Sequence, residues 1–85
     1  MSDHPTGFTG DIPTAIRDAV VAALPDAVVE ATGGGGHWTI AVTSTAFAGK
    51  SLLASHRLVM AAIAPLLAGG APPIHAVDKL TTRTP

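Results

Sequence analysis

The sequence predicts an α+β fold with the element order α-β-β-α-β, in which a three-stranded mixed sheet carries both helices on one face. Two segments place apolar residues at helical spacing, and three others are short and rich in β-branched residues or alternate between apolar and polar residues. The chain has 85 residues, of which 47% are hydrophobic. A chain of this length builds one small core, so a single domain is expected.

The first helix is predicted to begin at Pro13, because proline suits a first turn whose N–H groups have no partner in the helix. Ile16, Val20 and Leu24 then recur every four residues and form one apolar face. Pro25 and the Asp that follows it are expected to end the helix.

Two strands are predicted to follow, over residues 27–31 and 37–44, with residues 32–36 as the turn between them. The four glycines of this turn predict a loosely fixed pairing register. In the second strand Trp38, Ile40 and Val42 share the core face, whereas His37 lies on the opposite face.

The second helix is predicted to have Ser51 as its N-cap, and Pro65 is expected to kink it or to end it early. Its apolar stripe is formed by Leu52, His56, Val59, Ile63 and Leu66. A third strand is expected from Ile74 to about Leu80, parallel to the second because a helix connects them. Strict alternation in this strand puts His75, Val77 and Lys79 on the open face of the sheet and Ile74, Ala76 and Leu80 on the other.

Composition limits the possible functions. The formal net charge of −1 provides no basic surface for a phosphate backbone. The absence of cysteine excludes a disulfide framework and a thiolate metal site built by this chain alone. The longest nearly apolar run, residues 58–71, is too short to span a bilayer, and the N-terminus has no signal-peptide pattern. A cytoplasmic protein without a membrane partner is therefore expected.

Three motifs appear in order along the chain: F-A-G-K-S-L-L-A-S-H-R-L-V from Phe47 to Val59, I-H-A around His75, and the closing T-R-T-P. With them the chain resembles the BolA family. The resemblance implies a class II KH-like architecture and a BolA-like domain over residues 11–85. Residues 1–10 hold mainly glycine, proline and polar residues and are expected to be a flexible N-terminal leader. It also implies a non-enzymatic partner of a monothiol glutaredoxin, which is a monomer or a weak homodimer when free.

In that family a [2Fe–2S] cluster is shared with the glutaredoxin cysteine and with glutathione, and the histidine that His75 matches is a cluster ligand. His37 is the candidate second ligand, although it matches the histidine before the aromatic strand start rather than the family's loop ligand, and a solvated strand-end histidine is the alternative. The resemblance places Lys50 and Arg57 near a partner-binding surface, and two solvated cations are the alternative. His56 lies in the helix stripe and is expected to be packed and hydrogen-bonded.

Other functions receive less support from the residues. The glycines at 33–36 match the G-x-x-G pattern of nucleic-acid clamps, but they join two strands rather than two helices. The G-K-S at residues 49–51 lacks the upstream glycine of a phosphate-binding loop. No spacing of nucleophile and base indicates catalysis. The alternative functions are a KH-like transcriptional regulator that binds DNA and a scaffold domain without metal.

Overall fold

The computed structural model describes residues 11–85 and has the predicted α+β architecture. Its elements are α1 (Ile12–Ala23), β1 (Val28–Gly34), β2 (His37–Thr43), a short 3-10 turn (Thr45–Phe47), α2 (Leu52–Leu67) and β3 (Ala76–Arg83). The sheet order is β1-β2-β3, with β1 antiparallel and β3 parallel to β2. The mixed three-stranded sheet is therefore confirmed. The predicted leader over residues 1–10 lies outside the described residues.

The first helix begins at Ile12, directly after its N-cap residue Asp11. The Asp11 carboxylate accepts hydrogen bonds from the Thr14 backbone N–H (2.9 Å) and hydroxyl (2.7 Å), which also lower the Asp11 pKa. Pro13 lies in the first turn, as predicted. The helix buries Ile16 and Val20 completely.

The core lies between the two helices and one face of the sheet. Trp38, Ile40 and Val42 of β2 supply the centre of this face, as their alternation predicts. The other buried hydrophobic residues are Ile16, Val20, Leu24, Phe47, Val59, Ile63 and Ile74. The opposite face of β2 carries His37 and Thr39, both exposed. The sheet thus has one packed face and one open face.

The hairpin between β1 and β2 corrects the predicted turn. β1 continues through Gly34, which pairs with His37, so the turn consists of Gly35 and Gly36 alone. These two residues have φ values of +62° and +85°. Positive φ at both central positions is what a two-residue type I′ turn requires, and glycine adopts it without steric strain. The register is therefore set by a tight turn rather than left loose by a glycine run.

The second helix has the predicted cap but a shifted core face. The Ser51 hydroxyl accepts a hydrogen bond from the Ala54 N–H at 3.1 Å. The helix buries Ser55, Val59 and Ile63, whereas Leu52, assigned to the stripe, is 67% exposed. A buried serine carries no hydrophobic signal, so the sequence pattern could not locate this position. Pro65 lies within the helix, which ends two residues later.

The third strand departs from strict alternation. It begins at Ala76 rather than Ile74, and Ile74 is fully buried ahead of it. Trp38 pairs with Val77 and Thr39 pairs with Lys79, so Asp78 is an extra residue in a β-bulge. The bulge turns Val77 towards the core, where it packs with Leu80. The predictions of Val77 on the open face and Ala76 on the core face are therefore wrong, because Val77 pairs with the buried Trp38 and Ala76 pairs with the exposed His37.

Asp26 ties the α1–β1 corner to the end of β2. Its carboxylate accepts hydrogen bonds from the Ser44 hydroxyl (2.6 Å), the Thr45 N–H (2.8 Å) and the Thr45 hydroxyl (2.7 Å). These bonds, the one from Ser44 first, lower the pKa of Asp26 to about 2. The crossover to α2 therefore starts from a fixed corner.

Candidate functional site

His75 lies at the entrance to β3 and packs against the hairpin turn. Its backbone N–H donates to the Gly36 carbonyl at 2.8 Å, and the Ala76 N–H donates to the same oxygen at 3.1 Å. A Cβ atom on Gly36 would lie 2.6 Å from His75 Cγ and 2.7 Å from Nδ1. The imidazole therefore occupies the space that the missing side chain of Gly36 leaves, while the residue as a whole is exposed.

His37 directly follows Gly36 and begins β2. Its side chain is 59% exposed, and its Nδ1 lies 3.1 Å from Oδ1 of Asp78, whose side chain is 56% exposed. His37 pairs with Ala76, the residue after His75. The ladder thus brings both sequence-predicted ligand histidines to the same end of the sheet, where His37 is opposite Ala76 rather than His75.

Two exposed imidazoles are suitable ligands for a transition metal, but they do not complete a site. Among residues 11–85 no group of three His, Cys, Asp or Glu side chains is arranged to hold a metal ion. Structural zinc and iron–sulfur clusters each take four ligands. The two histidines alone therefore do not form a metal site.

The candidate partner-binding residues lie at the opposite end of the fold. Lys50 precedes α2 and Arg57 lies in its first half, and both are exposed. α2 returns the chain from the end of β2 to the start of β3, so its N-terminus is far from His75. Leu52 and Leu53, the first two residues of α2, lie between the two cations in the chain and are 67% and 60% exposed. The structure therefore does not bring Lys50 and Arg57 together with the histidine pair.

His56 differs from its predicted role. Its residue is partly buried and its Nε2 atom is fully buried, as the packing prediction requires. That Nε2, however, has no hydrogen-bond partner within residues 11–85, and the same holds for Nε1 of Trp38. The expectation of a hydrogen-bonded imidazole is therefore wrong for Nε2.

Comparison with known proteins identifies the family. The family model for BolA-like proteins matches residues 17–85. The chain belongs to the BolA-like family. This confirms the resemblance read from the motifs between Phe47 and Val59 and around His75.

Individual BolA-like relatives agree with the assignment. The chain is 37% identical over 90 residues to BolA-like protein 1 of Pongo abelii and of Homo sapiens, with 94% of this chain covered in each comparison. It spans 63% of the length of these two relatives. The solution structure of BolA1 from Mus musculus superposes with a TM-score of 0.69 and 35% identity, covering 100% of this chain and 76% of the mouse chain. The BolA domain of SufE1 from Arabidopsis thaliana superposes with a TM-score of 0.72 and 27% identity. The match covers 92% of this chain and 96% of the Arabidopsis chain.

Sequence reasoning missed Asp78, the residue that contacts His37 in the candidate site. Strict alternation assigns it to the core side of β3, and 41 positions separate it from His37. A signal was present, however, because Val77 and Leu80 are apolar and two charged residues separate them. Both can face the core only if the strand bulges between them.

A bilayer-crossing segment is not found in the BolA-like domain. Between residues 11 and 85, no helix is long and apolar enough for that purpose.

Proposed function

We propose that the protein is a non-enzymatic BolA-like adaptor that binds a monothiol glutaredoxin and co-ligates a [2Fe–2S] cluster, in iron–sulfur trafficking or iron regulation. The observation that carries the proposal is the placement of His75. It stands at the family's I-H-A motif, is exposed, and is packed against Gly36, the residue that precedes His37 in the chain.

The ligand count supports a shared cluster. A [2Fe–2S] cluster takes four ligands, and the chain has no cysteine. His75 and His37 would supply two nitrogens, and the glutaredoxin cysteine and a glutathione thiol would supply two sulfurs. Histidine in place of cysteine on one iron raises the reduction potential, as in Rieske centres. The cluster would therefore be easier to reduce than one with four thiolates.

The protein's own contribution is to hold the two imidazoles in place before the partner arrives. His75 is fixed by its backbone bond to Gly36 and by ring packing on that residue. His37 is fixed as the first residue of a central strand. Ligands that are already ordered lose less conformational freedom on binding.

Lys50 and Arg57 are proposed to contact the partner as cations around the exposed Leu52 and Leu53. Between Glu30 and Asp78 the chain has no acidic residue, so this region favours an acidic partner surface. The 16 residues of α2 span about 24 Å, so one partner would have to extend along the helix to reach both Lys50 and the histidines.

The test is reconstitution with a monothiol glutaredoxin, glutathione, iron and sulfide, followed by visible absorption and circular dichroism. The expected result is a spectrum that differs from that of the glutaredoxin alone and that His75→Ala changes. Thr39→Ala, at an exposed position of the neighbouring strand β2, is the control and should leave the spectrum unchanged. A mixture whose spectrum equals that of the glutaredoxin alone would refute the proposed function.

A further inference from the structure

The β-bulge in β3 places a carboxylate beside His37. In a regular strand of the same sequence, Val77 and Leu80 are three positions apart and would lie on opposite faces. With the bulge, Asp78 and Lys79 are consecutive and both exposed, while Val77 and Leu80 pack against the core. Bulges in general redirect side chains next to functional sites. Here the redirected side chain reaches Nδ1 of His37 at 3.1 Å.

The contact determines which imidazole nitrogen is free. An ionised carboxylate only accepts hydrogen bonds, so a neutral His37 must donate through Nδ1–H to Asp78. Its Nε2 then carries the lone pair and no proton. Histidines that ligate metals commonly donate their other nitrogen to a carboxylate in this way, which fixes the tautomer and the ring orientation.

We propose that Asp78 is a positioning residue that holds His37 as the Nδ1–H tautomer, with Nε2 presented as the metal-ligating atom. The part of the inference that concerns metal binding rests on the proposed function. The part that concerns the His37 tautomer rests on the His37–Asp78 contact alone. The inference bears on the two roles open to His37, because the contact leaves Nε2 unprotonated and able to bind a metal.

The first experiment uses the free protein. Long-range ¹H–¹⁵N spectra of ¹⁵N-labelled protein, recorded at a pH where His37 is neutral, report its tautomer directly. The wild type should show His37 mainly as Nδ1–H, and Asp78→Asn should shift it towards the Nε2–H form, because a neutral amide can donate as well as accept. Asp18→Asn is the control, since it removes the same charge from an exposed carboxylate on α1. An unchanged tautomer in Asp78→Asn would overturn the proposal.

The second experiment uses the cluster-bound complex with glutaredoxin and measures the rate of iron release to a chelator. Loss of a partner of a ligating histidine commonly costs about 10–100-fold in metal affinity. Because this pair is exposed, we expect release to be about tenfold faster in Asp78→Asn, the lower end of that range. In a His37→Ala background the same substitution should have no further effect. Equal rates in Asp78→Asn and wild type, or an undiminished effect without His37, would overturn the inference.

The two experiments separate this inference from the proposed function. If no cluster forms with any monothiol glutaredoxin, the proposed function fails, and the tautomer spectra of the free protein still decide whether Asp78 positions His37. If the cluster forms and is lost with His75→Ala but is indifferent to Asp78→Asn, the proposed function stands and the inference fails.

Discussion

Replacing Gly36 with alanine should drive the His75 imidazole off the hairpin turn. The new Cβ would lie 2.6 Å from His75 Cγ, which is less than any stable contact allows. Because Cγ is the first ring atom, no rotation about the outer bond relieves the clash, and the side chain must change its χ1 rotamer. The imidazole would then leave its position against Gly36.

The cost can be separated into two parts. Gly36 has φ +85° and Gly35 has φ +62°, so alanine at either position costs about 1–2 kcal/mol in the left-handed region. A Cβ on Gly35 meets no atom within 4 Å. Only Gly36→Ala therefore adds an overpacking penalty, for which about 1 kcal/mol is expected because His75 can rotate towards solvent. Gly35→Ala is thus a control matched in backbone strain.

Urea unfolding should give Gly36→Ala an unfolding free energy about 1 kcal/mol lower than that of Gly35→Ala, which is the overpacking penalty. In a His75→Ala background, where the obstructing ring atoms are absent, the two substitutions should cost the same. The shift of the His75 ring protons should change in Gly36→Ala alone. Equal unfolding free energies for the two variants with His75 present, together with unchanged ring shifts, would refute the packing of His75 on Gly36.

Three further predictions follow from the core, the Asp26 corner and the charge. Ile63→Ala should lower the unfolding free energy by about 2–5 kcal/mol, because Ile63 is fully buried, whereas Leu53→Ala, 60% exposed, should change it by about 0.5 kcal/mol or less. The depressed pKa of Asp26 means that its carboxylate stabilises the fold at pH values above the ordinary carboxyl pKa, and this contribution is lost as the pH falls towards 2. Asp26→Asn should therefore lower the melting temperature at pH 7, and its melting temperature should approach that of the wild type near pH 2. A constant difference across that range would contradict this. Duplex DNA of random sequence should bind at physiological salt no more tightly than the high-micromolar range in a fluorescence anisotropy titration, because the net charge is −1. Nanomolar binding would favour the alternative of a DNA-binding regulator.

Much of the fold follows from local signals in the sequence. The Ser51 cap, the Ile16–Val20 spacing and the alternation around Ile40 each determine an element through contacts within a few residues. The core face of α2 could not be placed, because its first buried residue is Ser55, which is polar.

The candidate site was only partly predictable. Alternation in β2 placed His37 correctly on the open face, but the open face predicted to be shared by His37 and His75 does not follow from the ladder, which pairs His37 with Ala76. The contact between His37 and Asp78 depends on a one-residue shift in the β2–β3 ladder. The residues of β3 indicate a bulge between Val77 and Leu80, but they do not show which side chain of the distant strand β2 Asp78 contacts.

The bulge at Asp78 also bears on how this chain tolerates changes in length. Deleting Asp78 would leave Val77, Lys79 and Leu80 in plain alternation, with both apolar residues still facing the core. Deletion of Asp78 should therefore leave the core residues in place, whereas a deletion in β2 would move Trp38 or Ile40 out of the core. Asp78 contributes nothing to the packing of the core, so other side chains at this position should leave the fold intact.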